Sequence, residues 1–139
     1  MVVTISDSRE ILAPIDRVWD IVADVDNDPK YWHINGIHNI SRDGNVIERE
    51  VTVGFRNSSR QTVVLTPKQS IEVTMTEGRV KGKRLIMLNP VPGNDNKTRL
   101  DISWNIELSG IPLLGRSFVK SQFKNTTKEA LDRIAKAVN

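Results

Sequence analysis

Glu48 and Glu50 are two residues apart, a spacing that suits acid–base chemistry if the segment is a strand. Side chains at i and i+2 of a strand lie on one face, and two carboxylates in a cavity can raise the pKa of one of them so that it transfers protons. The same spacing also describes the solvent face of a half-buried strand, and the sequence favours this interpretation. The residues that then face inward are Ile47, Arg49, Val51, Val53 and Phe55. The pattern gives no reason for the inward position of Arg49.

The chain carries two histidines and no cysteine. Neither His33 nor His38 has a carboxylate or a second histidine three or four residues away, which is the spacing of a zinc site on a helix. The sequence also has no glycine-rich phosphate-binding loop and no nucleophile-elbow motif. We therefore predict no metal and no cofactor, and the sequence identifies no catalytic residue.

Asp7 and Arg9 share the strand phase of Ile5 and Ile11, which makes them candidates for an ion pair inside the protein. A β-bulge would instead turn both side chains outward. The sequence favours exposure or a structural role for this pair.

Cations follow one another at four-residue intervals near the C-terminus, at Arg116, Lys120, Lys124 and Lys128. One interpretation places Arg116 and Lys120 at the mouth of a cavity, where they would bind a carboxylate, phenolate or phosphate head group. The other interpretation, which the i, i+4 series favours, leaves the cations in solvent and turns Phe118 and Val119 inward.

The elements that must position these residues follow from hydrophobic spacing. Residues 2–12 predict a strand, and Pro14 opens a helix whose buried stripe is led by Trp19. A second, short helix is predicted after the cap Asn27-Asp28-Pro29 and runs through Lys30, Tyr31 and Trp32.

Six strands are predicted next, with turn residues such as Asn57-Ser58-Ser59 between them. They are Ile37–Arg42, Val46–Phe55, Gln61–Thr66, Ser70–Thr76, Lys83–Leu88 and Thr98–Leu108. Leu114–Val138 then predicts a helix roughly 36 Å long, enough to cover one face of an antiparallel sheet. Its inward face is predicted as Phe123, Thr127, Ala130, Leu131, Ile134 and Val138.

Length and composition fit one globular domain over residues 1–139, since 38% of the chain is hydrophobic and 27% is charged. No signal peptide or transmembrane segment is recognisable and cysteine is absent, so we expect a cytoplasmic protein. A net charge of +3 with only 5% aromatic residues does not suggest a nucleic-acid partner. The sequence is compatible with a monomer or a small homo-oligomer.

The element order, together with REILAPIDRVWDIVADVDNDPKYW at Arg9–Trp32, resembles the polyketide cyclase/dehydrase branch of the START-like (SRPBCC) superfamily, which includes coenzyme Q-binding proteins. The resemblance spans the whole chain, and its most specific pieces are Ala13-Pro14, Val18-Trp19-Asp20 and Pro29 with Tyr31-Trp32. It implies an α+β helix-grip fold in the order β-α-α-β6-α, with a curved antiparallel sheet of about seven strands around the long C-terminal helix. In this family the cavity between sheet and helix takes lipids, quinones, polyketides or hormones.

The function that the resemblance implies is binding of a small hydrophobic molecule, as a carrier or sequestering protein. The alternative is a cyclase or dehydratase, a lyase-type enzyme that would use acid–base residues in the same cavity. A third hypothesis, binding to an RNA or membrane surface through the last helix, is disfavoured by the modest net charge. The side chains predicted to line the cavity are Trp32, Phe55, Met75, Met87, Trp104, Phe118 and Lys120.

Overall fold

The computed structural model describes residues 2–53, 57–78 and 80–138. These ranges form a seven-stranded antiparallel sheet, two α-helices and two short 3-10 helices. In chain order the elements are β1 (Val2–Ile11), α1 (Ile15–Val22), a 3-10 helix (Val25–Lys30), β2 (Gly36–Asp43), β3 (Val46–Val53), β4 (Asn57–Thr66), β5 (Ser70–Glu77), β6 (Val80–Val91), β7 (Asn94–Leu108), a 3-10 turn (Leu113–Gly115) and α2 (Arg116–Val138).

The strand order across the sheet is β1-β7-β6-β5-β4-β3-β2, so consecutive strands are neighbours except that β1 pairs with the last strand. Short connections permit antiparallel neighbours, and the long segment between β1 and β2 carries α1 and the first 3-10 helix instead. The sheet curves around α2, which gives the α+β helix-grip architecture expected from the sequence.

Period-two alternation decides which strand residues enter the core. In β7 every second residue from Thr98 to Leu108 is buried, and in β5 the buried residues are Ile71, Val73 and Met75. The outer face of these strands is polar, as the sequence predicted. One face of the sheet is therefore apolar and available to be covered by α2.

Three local predictions need correction. Residues 57–59 were expected to form a turn but begin β4, because their backbones pair with residues 51–53 of β3. The second helix is a 3-10 helix that ends at Lys30, with Pro29 inside it, and does not extend through Trp32. In α1 the buried residues are Val18 and Val22, whereas Trp19 is only half-buried. A helix of eight residues buries a narrow stripe, and Trp19 lies at the edge of that stripe.

The long helix α2 packs on the sheet with its C-terminal half. Its buried residues are Thr127, Ala130, Leu131, Ile134, Ala135 and Val138, which confirms the predicted inward face from Thr127 onward. Residues 116–126 of the same helix, all of them described, include no fully buried side chain; Val119 and Phe123 are half-buried there. The N-terminal half of α2 therefore covers the end of the sheet without deep packing.

Gly82 allows β6 and β7 to approach closely. Its φ is +129°, and a Cβ at this position would lie 2.2 Å from the carbonyl oxygen of Asn105 and 2.8 Å from Cα of Ile106. Only glycine fits such a contact without a backbone shift. Within the described ranges, no helix is both long and apolar enough to cross a membrane.

Candidate interior anion site

Four polar side chains are buried together on the concave face of the sheet. The residues are Asp28 from the first 3-10 helix, Arg49 from β3, Gln61 from β4 and Arg84 from β6. Each strand residue of this group occupies an inward position in the alternating pattern, so the fold itself directs these groups into the core. Burial of ionic groups is costly unless each finds a partner, so the partners decide what this cluster can do.

Arg49 is completely buried and has partners on three nitrogen atoms. Its Nη2 donates to Oδ2 of Asp28 at 2.8 Å, its Nη1 to the carbonyl oxygen of Val25 at 3.0 Å, and its Nε to Oε1 of Gln61 at 3.0 Å. Gln61 lies directly opposite Arg49 in the β3–β4 pairing, which explains this last contact. Arg49 therefore joins the first 3-10 helix to the sheet, and this structural role accounts for the inward arginine that the sequence pattern left unexplained.

Arg84 is 3% exposed and is not satisfied in the same way. Its Nε and Nη2 have no hydrogen-bond partner among the described residues. Nη2 lies 3.7 Å from Oδ2 of Asp28, which is within ion-pair range but too long for a hydrogen bond. Asp28 already accepts from Arg49, so one carboxylate serves two guanidinium groups. Two buried N–H groups of Arg84 remain free to bind an acceptor.

Aromatic rings surround the guanidinium group of Arg84. Its Cζ lies 4.1 Å from the ring centroid of Trp32 and 5.6 Å from that of Trp104. Trp104 is the residue opposite Arg84 in β7, and it packs edge-on against Trp32 at 5.7 Å and against Phe123 of α2 at 5.2 Å. The three rings thus fill the space between the sheet and α2, with one cation among them.

Trp104 also connects the sheet to α2 through a hydrogen bond. Its Nε1 donates to Oγ1 of Thr127 at 3.0 Å, and the same hydroxyl donates to the carbonyl oxygen of Phe123 at 2.8 Å. Because Trp104 is itself buried, its indole N–H needs an acceptor inside the protein, and the hydroxyl of the buried Thr127 supplies it.

The electrostatics of the site follow from its composition of two guanidinium groups and one carboxylate. Burial lowers the pKa of Arg84 to about 10; Asp28 opposes this effect and Arg49 adds to it. Arg84 is still protonated at neutral pH, so the cluster holds an excess positive charge in a region of low dielectric. Such an arrangement can bind an anionic or strongly accepting oxygen that enters between the sheet and α2.

The structure brings some of the predicted cavity residues to this site and places others elsewhere. Trp32 and Trp104 contact Arg84, and Met75 is a buried residue opposite Gln61 in β5. Met87, Phe118 and Lys120 are exposed, and Phe55 lies outside the described residues. Met87 follows the outward phase of β6, since its neighbours Ile86 and Leu88 occupy the inward positions.

Neither the candidate acid–base pair Glu48/Glu50 nor the candidate ion pair Asp7/Arg9 is buried. Glu48 is half-exposed and accepts a hydrogen bond from Thr62 Oγ1 at 2.7 Å, while Glu50 is exposed. Arg9 is exposed and pairs with Asp132 of α2. Both findings agree with the interpretations that the sequence favoured.

Arg116 and Lys120 are exposed, as the i, i+4 series indicated, but Phe118 is exposed with them and only Val119 is half-buried. The two cations line a surface hollow of about 180 Å³ together with Val2, Val3, Thr4 and Ser117. The expectation that Phe118 turns inward is therefore wrong, because the first turns of α2 do not pack deeply on the sheet.

Three members of the buried polar cluster were missed by sequence reasoning. Asp28 was interpreted as part of a helix cap, and Gln61 and Arg84 were placed in strands without a role. The available signal was strand phase, since Arg84 shares the inward phase of Ile86 and Leu88 just as Arg49 shares that of Ile47 and Val51. When two strands each carry an arginine at an inward-facing position, a buried carboxylate is expected between the two arginines.

Comparison with known proteins places the fold in context. The family model described as "Polyketide cyclase / dehydrase and lipid transport" matches residues 2–139. A search of curated proteins found no match.

Solved structures resemble the chain over nearly its full length at low sequence identity. A Thermus thermophilus protein is 18% identical with a TM-score of 0.79, covering 98% of this chain and 97% of that one. The ZhuI aromatase/cyclase from a Streptomyces species is 13% identical with a TM-score of 0.85, covering 99% and 94%. The di-domain ARO/CYC StfQ of the steffimycin biosynthetic pathway is 15% identical with a TM-score of 0.78, covering 99% of this chain and 50% of that one. At these identities the likeness concerns the fold.

Proposed function

Because the chain belongs to the polyketide cyclase / dehydrase and lipid transport family, we propose that it binds a small hydrophobic molecule with an anionic oxygen between its sheet and α2. The observation that carries this proposal is Arg84, a buried guanidinium group whose Nε and Nη2 lack a hydrogen-bond partner among the residues that the structure describes. The apolar part of the ligand would pack on the rings of Trp32 and Trp104, and its anionic oxygen would accept from Arg84.

The energetics favour an acid over a neutral analogue. A buried N–H group without an acceptor costs about 1–3 kcal/mol, and more when it is charged. A carboxylate, phenolate or enolate oxygen would remove this cost and neutralise the excess charge in the same step. A purely apolar ligand would leave Arg84 unsatisfied and would gain only from apolar burial.

Entry of the ligand requires movement of α2 at its N-terminal half. Residues 116–126 bury no side chain completely, whereas residues 127–138 bury six. Movement of the first half therefore exposes little core, and the second half can remain fixed on the sheet. The rings of Phe123 and Trp104 would separate in this movement and open the path to Arg84.

We propose a carrier rather than an enzyme because Asp28 is already engaged by Arg49. It is the buried carboxylate of the described cluster, and its ion pair with Arg49 keeps it from acting as a free base. Guanidinium groups do not exchange protons at neutral pH, so Arg84 suits binding or stabilisation of an anion. The alternative, a cyclase or dehydratase, would use Arg84 to stabilise an enolate and would need an acid–base group supplied by the substrate or by water.

Native mass spectrometry of the freshly purified protein tests the proposal. We expect a bound small molecule with an acidic group, released on denaturation and recovered chemically unchanged after prolonged incubation with the protein. Conversion of the molecule would support the enzyme. An empty protein that shows no thermal shift with fatty acids or aromatic acids would contradict the binding proposal.

A further inference from the structure

The most exposed apolar side chains of the C-terminal region lie together at the start of α2. Leu113, Leu114 and Phe118 have exposed fractions of 73%, 97% and 66%, and we call these three residues the apolar tip. Two of them belong to the 3-10 turn that precedes α2, and Phe118 lies in the first turn of the helix itself. Apolar groups this exposed and this close together indicate an interaction surface.

The net charge of +3 by itself disfavoured a membrane partner, but the charges around the tip have one sign. Between Gly110 and Lys128 the sequence contains four cations and no acidic residue. Arg116 and Lys120 are exposed next to the tip, and the hollow they line includes no acidic residue either. The positive end of the α2 dipole points in the same direction. This surface therefore complements an anionic partner.

We infer that the apolar tip inserts into an anionic membrane surface while Arg116 and Lys120 bind the lipid phosphates. Arg116 lies between Leu114 and Phe118 in the chain, and Lys120 follows Phe118 by two residues. The long side chains of both cations can extend to the lipid phosphates while the apolar side chains enter the bilayer. The three apolar side chains of the tip are 66–97% exposed, which suits insertion into a bilayer, whereas a peptide partner would need an apolar groove.

An RNA partner fits the surface less well. Recognition of RNA relies on aromatic side chains that stack on bases, interleaved with the cations. Phe118 is the one exposed aromatic residue beside Arg116 and Lys120 in the described part of this segment, and the two leucines of the tip offer no stacking surface. The inference does not depend on the identity of the interior ligand, because the tip lies outside the site at Arg84.

Vesicle sedimentation with the full chain tests this inference. Wild-type protein is expected to bind vesicles of phosphatidylcholine that contain phosphatidylserine more strongly than vesicles of phosphatidylcholine alone. Each cation near an anionic surface contributes about fivefold to the partition coefficient, so Arg116→Gln with Lys120→Gln should lower binding by about 25-fold. Leu114→Ser with Phe118→Ser should lower it by at least about tenfold.

Matched control variants lie outside the surface. Leu12→Ser removes an apolar side chain that is 69% exposed in the segment after β1, and Lys136→Gln removes a cation from the last turn of α2. Neither control should change vesicle binding by more than about twofold, since neither residue lies near the tip. All of these positions are exposed, so circular dichroism should report unchanged folding for every variant.

A depth measurement separates insertion from adsorption. Phe118→Trp places an indole in the tip, and brominated lipids should quench its fluorescence beyond the quenching seen for wild-type protein. Absence of vesicle binding, equal losses in the control variants, or binding to RNA in preference to anionic vesicles would each overturn the inference.

Discussion

Arg84→Met is expected to stabilise the folded protein although it removes a buried charged residue. Burial lowers the pKa of Arg84 to about 10, and at 1.36 kcal/mol per pKa unit this lowering corresponds to about 3 kcal/mol of unfavourable free energy in the charged form. Methionine also loses the contact with the Trp32 ring at 4.1 Å, which stabilises a desolvated cation by about 2 kcal/mol. The expected net gain is about 1 kcal/mol, or about 4 °C in Tm for a chain of this length.

Arg49→Met is the matched comparison, because it replaces a second buried arginine by the same residue. Arg49 makes three hydrogen bonds, and its loss leaves Asp28 with Arg84 alone at 3.7 Å. Breaking a well-paired buried ion pair costs about 3–5 kcal/mol. The two variants should therefore change the free energy of unfolding in opposite directions.

Urea unfolding followed by far-ultraviolet circular dichroism measures both changes without relying on the tryptophans near Arg84. A destabilisation by Arg84→Met as large as that by Arg49→Met would refute the reasoning. It would mean that the N–H groups of Arg84 have partners in solution and are not available to bind an anion.

Three further outcomes test individual contacts. Thr127→Val should destabilise the protein by about 1–3 kcal/mol in the same urea assay, because Trp104 Nε1 loses its acceptor, whereas Thr127→Ser keeps the hydroxyl and should cost less. Gly82→Ala should cost at least about 2 kcal/mol, since its Cβ would meet the backbone of Asn105; a neutral effect would contradict the close approach of β6 and β7. Tyr31 is the only tyrosine, so phenolate absorbance should show its pKa above 10, raised by burial and then by Asp24 and Asp28, and Asp24→Asn should bring it down. Because folding raises its pKa, Tyr31 stabilises the folded state below pH 10, and this stabilisation is lost as the pH rises through the pKa of the folded protein. A phenolate midpoint at or below 10 would contradict the burial of Tyr31.

The sequence predicted the fold because its signals are local and repeated. Alternation in Leu100, Ile102, Trp104 and Ile106 defines one buried face, and the helical spacing from Thr127 to Val138 defines the element that covers it. The order of the elements along the chain and the stretch Arg9–Trp32 both resemble the family as well. Helix and strand ends were less predictable, since pairing with β3 overrode the turn preference of residues 57–59.

The site was less predictable because its members are distant in sequence. Asp28 and Arg49 are 21 residues apart, and the sequence around neither residue predicts their ion pair. The exposure of Phe118 was also unpredictable from spacing alone, since it depends on how closely the first turns of α2 pack on the sheet. Contacts that depend on tertiary geometry require the structure.

Binding of matched acid and amide ligands tests the central claim most directly. Isothermal titration calorimetry would compare naphthoate and a medium-chain fatty acid with their amides on wild-type protein and on Arg84→Met. We predict that the wild type prefers each acid by about ten- to hundredfold and that Arg84→Met loses this preference while remaining folded. Acid and amide can both accept from Arg84, but only the carboxylate neutralises its charge, which at about 4 Å and an effective dielectric constant of about 20 is worth about 4 kcal/mol before the cost of desolvating the anion is subtracted. Equal affinity of the wild type for acid and amide, a preference that survives Arg84→Met, or failure of every pair to bind would contradict the account.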